Sequence, residues 1–224
     1  MPTLDVRALR EAYALWAPSY PSAAHNALMR TEQRVVGAAI ARTQPARALD
    51  LGTGSGRYLT ELAAAGATLI VGLDFAPEML ARAPRCGHRV CGDARELPFA
   101  AKSFDLVNAS LMAGDVDDLS AWTRELASVL DSGGHLIYSD FHPSWQQNGW
   151  RRTFQAPDGR GIDLPYVPHT IGDHTHALRS AGLALVSCVE LPLEDNEDAD
   201  TATFRRRWGN PPVLVVVHAR KPER

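Results

Sequence analysis

A short apolar run that ends in glycines constrains this 224-residue chain more than any other feature. Residues 46–51, ARALDL, read as a buried strand, GTGSG follows at 52–56, and YLTELAAAG at 58–66 has helical spacing. A strand that turns through glycines into a helix is the opening unit of a parallel sheet, and glycine lets backbone N–H groups come close to a ligand. The alternation continues downstream. TLIVGLD (68–74), HRVCGD (88–93), FDLVNAS (104–110) and HLIYSDF (135–141) read as four more strands. Between them lie the helical PEMLARA (77–83), opened by a first-turn proline, and the amphipathic DLSAWTRELASVL (118–130), ended by Ser132, Gly133 and Gly134. Continuous apolar strands alternating with helices predict a parallel sheet covered on both faces.

The two ends depart from this rhythm. Residues 4–17 have helical spacing with Leu4, Leu9, Tyr13 and Trp16 near one face, and Pro18 and Pro21 break the segment. Ser22 reads as the N-cap of a second helix over roughly 23–42. At the C-terminus, THALRSAG (175–182) is helical, and LALVSCVELPL (183–193) and PPVLVVVHA (211–219) are strands. The loop between these strands holds Glu194, Asp195, Glu197, Asp198 and Asp200, then Arg205 to Arg207, with no convincing helical pattern. Two strands without a crossover helix predict an antiparallel pair. Residues 141–173 read as irregular and are too long for a passive connection, which is the usual length of a lid or binding element.

The predicted fold is therefore α/β: a Rossmann-like, seven-stranded, mostly parallel sheet with helices on both faces and a C-terminal antiparallel strand pair. One domain over 1–224 accounts for the length. It divides into an N-terminal helical segment (1–45), a core (46–140), a substrate-cover insert (141–173) and a C-terminal helix with its strand pair (174–224).

Composition removes other classes. At 45% hydrophobic the chain has enough apolar content to order itself. A net charge of −3 supplies no basic field for nucleic acid or anionic lipid. The run at 213–217 is too short to span a bilayer, and the first residues have no apolar h-region. Cys86, Cys91 and Cys188 are odd in number and form no CxxC, which suits a reducing cytoplasm rather than a disulfide framework or zinc site. His174 and His176, two apart on a helix, do not face each other, so no metal is expected.

Three acids give the sheet a chemical direction. Asp50, Asp74 and Asp93 end the first three strands, so all three gather at the carboxyl edge, where open α/β sheets bind ligands. Read singly, Asp50 or Asp93 could cap a turn or a helix. As a set beside a glycine loop they suit a ligand with a positive group, a ribose diol and a base with an exocyclic amine. Arg57 stands where GxGxxG would need its last glycine, and the Lys-Ser/Thr ending of a phosphate loop is missing.

ALDLGTGSGRYL, VGLDFAPEML, CGDARELPFAAKSFDLVNASL and ELASVLDSGGHLIYSDFHP together resemble the class I S-adenosylmethionine-dependent methyltransferases. The likeness is to small-molecule members of the ubiquinone/menaquinone-methyltransferase-like kind. It implies S-adenosylmethionine as cofactor and S-adenosylhomocysteine as product. It further implies that Asp50, Gly52, Thr53, Gly54 and Gly56 shape the methionine end, that Asp74 holds the ribose diol, and that Phe75 and Met79 flank the adenine. Asp93 and the Ala94 amide would meet the adenine amine, Ser110 and Leu111 would approach the sulfonium, and residues 1–45 would form an N-terminal helical lid from which Tyr20 covers the cofactor. Many relatives carry a histidine where this chain has Met112, Ala113 and Gly114, and Asn108-Ala109-Ser110-Leu111 is not the motif of nucleic-acid amino-methyltransferases.

A general base then has to come from elsewhere. His142, after the fifth strand, is the first candidate and His169 the second, with Tyr20 and His25 reaching from the lid. Trp145, Trp150, Phe154 and Tyr166 stud the insert as an aromatic cover or an apolar anchor. Arg151 and Arg152 are candidates for a substrate carboxylate or phosphate. The expected partner is a small-molecule methyl acceptor, with no nucleic acid and no membrane, in a monomer or homodimer. Two rival readings are a non-catalytic cofactor-binding module on the same fold and a nucleotide-dependent oxidoreductase. The missing last glycine of GxGxxG speaks against the second.

Overall fold

A computed structural model describes residues 4–194 and 199–223. Its strands are β1 (Arg47–Leu51), β2 (Leu69–Asp74), β3 (His88–Cys91), β4 (Phe104–Ala109), β5 (Leu130–Phe141), β6 (Arg152–Gln155), β7 (Gly161–Leu164), β8 (Ala184–Leu191) and β9 (Leu214–Arg220). Seven of them form one sheet in the order β3-β2-β1-β4-β5-β9-β8. The first five run parallel, and β9 lies antiparallel between β5 and β8. The seven strands and the mixed sheet agree with the sequence reading.

Both faces of the central strands are buried, as a parallel sheet requires. Leu106 and Ile137 point to one face, among Val36, Ile40, Leu59 and Leu62. These residues belong to α2 (Ala27–Thr43) and α3 (Leu59–Ala64). Val107, Leu136 and Tyr138 point to the other face, against Trp122, Leu126 and Leu178. Those come from α5 (Leu119–Val129) and α7 (Ile171–Ser180). Trp122 is 1% exposed and sits edge-on to Tyr138 with ring centroids 5.6 Å apart. The Tyr138 hydroxyl in turn lies 3.1 Å from Nδ1 of the buried His174. His176 is two residues away on the other side of the helix, against Ser180.

Three local expectations are corrected. First, α2 is capped by Asn26 and not by Ser22, because the Asn26 side chain accepts the Met29 N–H at 2.8 Å. The chain before it is held against the core. The Ser55 hydroxyl donates to the Pro21 carbonyl, and the Arg82 guanidinium donates to the carbonyls of Pro18 and Tyr20. Second, a helix, α8 (Ala199–Trp208), does stand between β8 and β9. Thr201 is its buried residue, and Phe204 and Trp208 pack on Trp150. Asp195, Glu197 and Asp198, expected in a charged loop, lie outside the described residues, as do residues 1–3 of the expected lid.

Third, the insert is not irregular. After α6 (Ser144–Gln147), β6 and β7 pair as an antiparallel hairpin, with Arg152 opposite Leu164 and Phe154 opposite Ile162. The hairpin meets α1 (Val6–Trp16), which is N-capped by Asp5. Leu9, Phe154, Ala156 and Leu164 form a small buried cluster, and Trp16 stacks on Phe154 at 4.7 Å. Lid and insert thus share one apolar seam. Among the described residues no helix is long and apolar enough to cross a membrane.

The packing predicts a specific cost. Trp122→Ala should lower unfolding free energy by about 3–5 kcal/mol, the usual range for emptying a large aromatic site. Urea denaturation followed by far-UV circular dichroism measures it, and a loss below about 1 kcal/mol would mean that the site can collapse.

Candidate active-site cleft

The glycine loop leaves β1 through left-handed backbone at Gly52 and Gly54, with φ of +62° and +54°. Neighbouring strands hold it in that shape. The Thr53 N–H donates to the Leu73 carbonyl at 2.9 Å, and the Gly54 N–H donates to Asp74 Oδ2 at 2.8 Å. Asp74 Oδ1 accepts the Ala76 N–H at 2.9 Å. Beneath the loop, Asp50 accepts the Thr53 hydroxyl at 2.6 Å and the Asn108 side-chain N–H at 2.8 Å. Burial pushes both Asp50 and Asp74 up to about 6, against the opposing pull of these donors. Asp93 is different. A two-pronged hydrogen bond from the Arg95 guanidinium holds its carboxyl below the usual range.

Above the loop opens a cleft. Tyr20, Gly52, Gly54, Asp74, Phe75 and Met79 line it, and so do Asp93, Ala94, Ser110 and Leu111. The acids at the ends of β2 and β3 and the residues past β4 thus meet in one space. Asp50 and Thr53 lie behind the wall as its support. Gly56 also lies outside the lining, at φ +79°, where a Cβ would come within 2.5 Å of Pro84 and 2.9 Å of Ala83. Its glycine is therefore required by packing. Leu111 sits at φ +55°, strained for a branched residue, while its N–H donates to the Ser139 hydroxyl at 2.8 Å.

The two histidine candidates are placed elsewhere. His142 accepts the Ser144 N–H at Nδ1, which puts its proton on Nε2, 2.7 Å from Glu190 of β8. Its ring therefore faces the C-terminal strands and not the cleft. His169 turns Nε2 to the carbonyls of Ala113 and Val116, at 3.2 and 3.0 Å, and holds that loop in place. Neither lines the cleft, nor does His25. Tyr20 does, edge-on to Trp16 at 4.6 Å, with its hydroxyl pKa raised by burial.

The aromatic residues of the insert separate into two groups. Trp145 donates its indole N–H to the Val213 carbonyl and meets Trp150 edge-on, so these two anchor the C-terminal region. Phe154 faces the lid. Arg151 pairs with Asp163 on the surface, whereas Arg152 is buried and ion-paired to Asp115.

Sequence reading missed two cleft features. Arg57, noted only as a break in the glycine pattern, lines the cavity and pairs with Glu32 of α2 at 2.8 Å. Glu32 is fully buried and also accepts the hydroxyls of Tyr58 and Ser139, at 2.6 and 2.7 Å. Burial alone would lower the Arg57 pKa, but the Glu32 carboxylate reverses this and raises it. The second feature is Asp115, which lines the cleft beyond the reach of any motif. Among the described residues no group of three or more metal-ligating side chains is gathered.

Comparison with known proteins agrees with this geometry. Residues 49–138 match a family described as "Methyltransferase domain". A demethylmenaquinone methyltransferase of Roseiflexus sp. is 38% identical over 114 residues, covering 46% of this chain and 48% of that protein. A malonyl-[acyl-carrier protein] O-methyltransferase of Gallionella capsiferriformans is 31% identical over 187 residues, covering 76% of this chain and 63% of its own. The chain thus spans less than two thirds of either curated relative. A crystal structure of an S-adenosylmethionine dependent methyltransferase from Mesorhizobium loti superposes with a TM-score of 0.67 at 24% identity, over 85% of this chain and 97% of that one, and shows the shared fold. A glycine turn braced by the acid of the second strand and a β3-β2-β1-β4-β5-β9-β8 sheet thus accompany a likeness to methyltransferases, in the domain matched over residues 49–138 and in these relatives.

Proposed function

We propose that the chain transfers a methyl group from S-adenosylmethionine to a small molecule, a metabolite or natural-product intermediate, in the cytoplasm. The carrying observation is the union of the Gly52–Gly54 turn with Asp74 in one buried wall. Asp74 already accepts two backbone N–H groups, and each oxygen keeps a lone pair for a ribose hydroxyl. Asp93, at the next strand end, offers an acceptor to an exocyclic amine beside the Ala94 N–H. Asp50 supplies negative potential under the loop, which suits a cation and opposes a pyrophosphate. Arg57 faces the cavity with N–H groups beyond the one given to Glu32, and these suit an amino-acid carboxylate. The donor set therefore fits S-adenosylmethionine at each end.

When bound, the cofactor supplies a methyl group activated by a positively charged sulfur. The chain's task is placement and exclusion of water. Tyr20 and Trp16 close the lid side, while Ser110 and the strained Leu111 present the wall past β4. Such positioning contributes up to about 7–11 kcal/mol in favourable cases. Of the four candidate bases, His142, His169, His25 and Tyr20, it is Tyr20 that faces this space, and we assign it contact with the acceptor or the cofactor. His142 and His169 then act through the loops they hold.

Two measurements test the reading. Calorimetric titration with S-adenosylhomocysteine should show binding, and Asp74→Ala should weaken it roughly a hundredfold, the loss of two hydrogen bonds to a charged acceptor. Absence of binding in the wild type, or unchanged affinity in the variant, rejects the site. Transfer itself is read by mass spectrometry as a gain of one methyl on an acceptor. Binding with no transfer to any acceptor in a broad metabolite library would favour a non-catalytic module.

The raised carboxylates also set a pH dependence. As pH falls through about 6, Asp50 and Asp74 protonate and the negative wall is lost. Affinity for the cationic cofactor should then drop by up to about tenfold per pH unit for each carboxylate that must ionise. Stability runs the other way for these two groups. Their folded pKa lies above the unfolded one, so their protonated form favours folding at low pH and that contribution disappears as pH rises through about 6. Affinity that stays flat across this range would remove both groups from cofactor recognition.

A further inference from the structure

Asp115 is the meeting point of two covers that are far apart in sequence. It closes the short turn Ala113–Asp115 after β4, and that turn is gripped from several sides. His169 holds the carbonyls of Ala113 and Val116. The Val167 N–H donates to the Gly114 carbonyl at 2.8 Å, and the Gly114 N–H donates to Asp140 at 3.1 Å. From this fixed base the Asp115 carboxylate reaches into the cleft wall, 12% exposed. One oxygen accepts the Tyr13 hydroxyl of α1 at 2.9 Å. The other pairs with the guanidinium of Arg152, the first residue of the β6–β7 hairpin. Arg152 is 9% exposed, also donates to the Pro165 carbonyl at 2.9 Å, and lies over the Phe141 ring.

The structure assigns Asp115 a positioning role. It fastens the N-terminal lid and the insert hairpin to the sheet through one carboxylate, and so sets how fast ligands enter and leave the cleft. The inference rests on the proposed S-adenosylmethionine site for its ligand, and on geometry alone for the fastening. Both oxygens of Asp115 are engaged by the covers, so the carboxylate fastens the wall that it lines. Buried hydrogen bonds to a charged acceptor are the strong ones. The Trp16–Phe154 stack and the Leu9 cluster then tie lid to hairpin directly, so release of one cover loosens the other. Tyr13 also meets Phe75 edge-on at 5.8 Å, which carries the same fastening to the end of β2.

The test uses the full chain with Tyr13→Phe, which removes only the hydroxyl, and Asp115→Asn, which removes the charge at constant shape. Hydrogen exchange of the unliganded protein is read at residues 5–16 and 152–164, with β4 as the internal control for global unfolding. Both segments should exchange faster together in each variant while β4 stays protected. Stopped-flow release of S-adenosylhomocysteine, followed by tryptophan fluorescence, should accelerate roughly tenfold in Tyr13→Phe, as loss of a hydrogen bond to a charged group implies. Faster exchange in the lid with an unchanged hairpin, or unchanged release from a protein that binds normally, would overturn the assignment. Should the wild type bind no S-adenosylhomocysteine, the cofactor reading fails by itself, and the exchange arm alone decides on the fastening. Tyr13→Phe also keeps the experiment decisive if Asp115→Asn does not fold.

Discussion

The arrangement of the cleft depends on a buried carboxylate that lies outside its lining. Glu32 sits fully buried on α2 and gathers a guanidinium from Arg57 and hydroxyls from Tyr58 and Ser139. Those partners belong to the end of the glycine loop and to β5, so one side chain joins a helix, a loop and a strand. Removing one partner from such a buried pair typically costs about 3–5 kcal/mol, because the remaining charge cannot be rehydrated. The position of α2 follows from this contact, and with it the position of the preceding segment that bears Tyr20 and the Asn26 cap. Ser139 continues the chain of contacts to the Leu111 N–H, so the wall past β4 is fixed from the same centre.

Electrostatics in the cleft follows from desolvation more than from charge count. Asp50 and Asp74 are held where carboxylates ionise reluctantly, while their donors are already in place. For the proposed cationic cofactor the acceptors are already oriented and the loop need not reorganise, which is the structural meaning of preorganisation. Asp93 works differently, since Arg95 shares its charge and leaves it half exposed at the edge.

Legibility in the sequence tracked the physical origin of each feature. Strands β1, β2, β4, β5 and β9 were legible because burial on both faces demands apolar runs, and the acids at the ends of β1, β2 and β3 because strand ends in a parallel sheet share an edge. The β6–β7 hairpin escaped notice because its strands are four residues long and bury only one face, as the alternation of buried Arg152 and Phe154 with exposed Thr153 and Gln155 shows. α8 escaped because its apolar contacts rest on Phe204 and Trp208 beside three arginines. His142 was read toward the cleft from its place after β5, but a strand end has two sides, and Glu190 draws the ring to the other. Glu32 left no local signal, since a buried acid on a helix looks like a solvated one until its distant partners are known.

Gly56 shows a separate point about motifs. Its neighbours in the loop face the cleft, whereas it faces the side chains of Ala83 and Pro84, past the helix α4 (Pro77–Leu80). A side chain at Gly56 would push the loop away from that connector and shift Gly52 and Gly54 with it. Tolerance to substitution along the loop thus reports two unrelated demands, ligand access at its start and interior spacing at its end. A mutational scan that scored binding alone would merge them, and the last glycine would look like a cofactor contact although its limit is set by a proline on the far side of the loop.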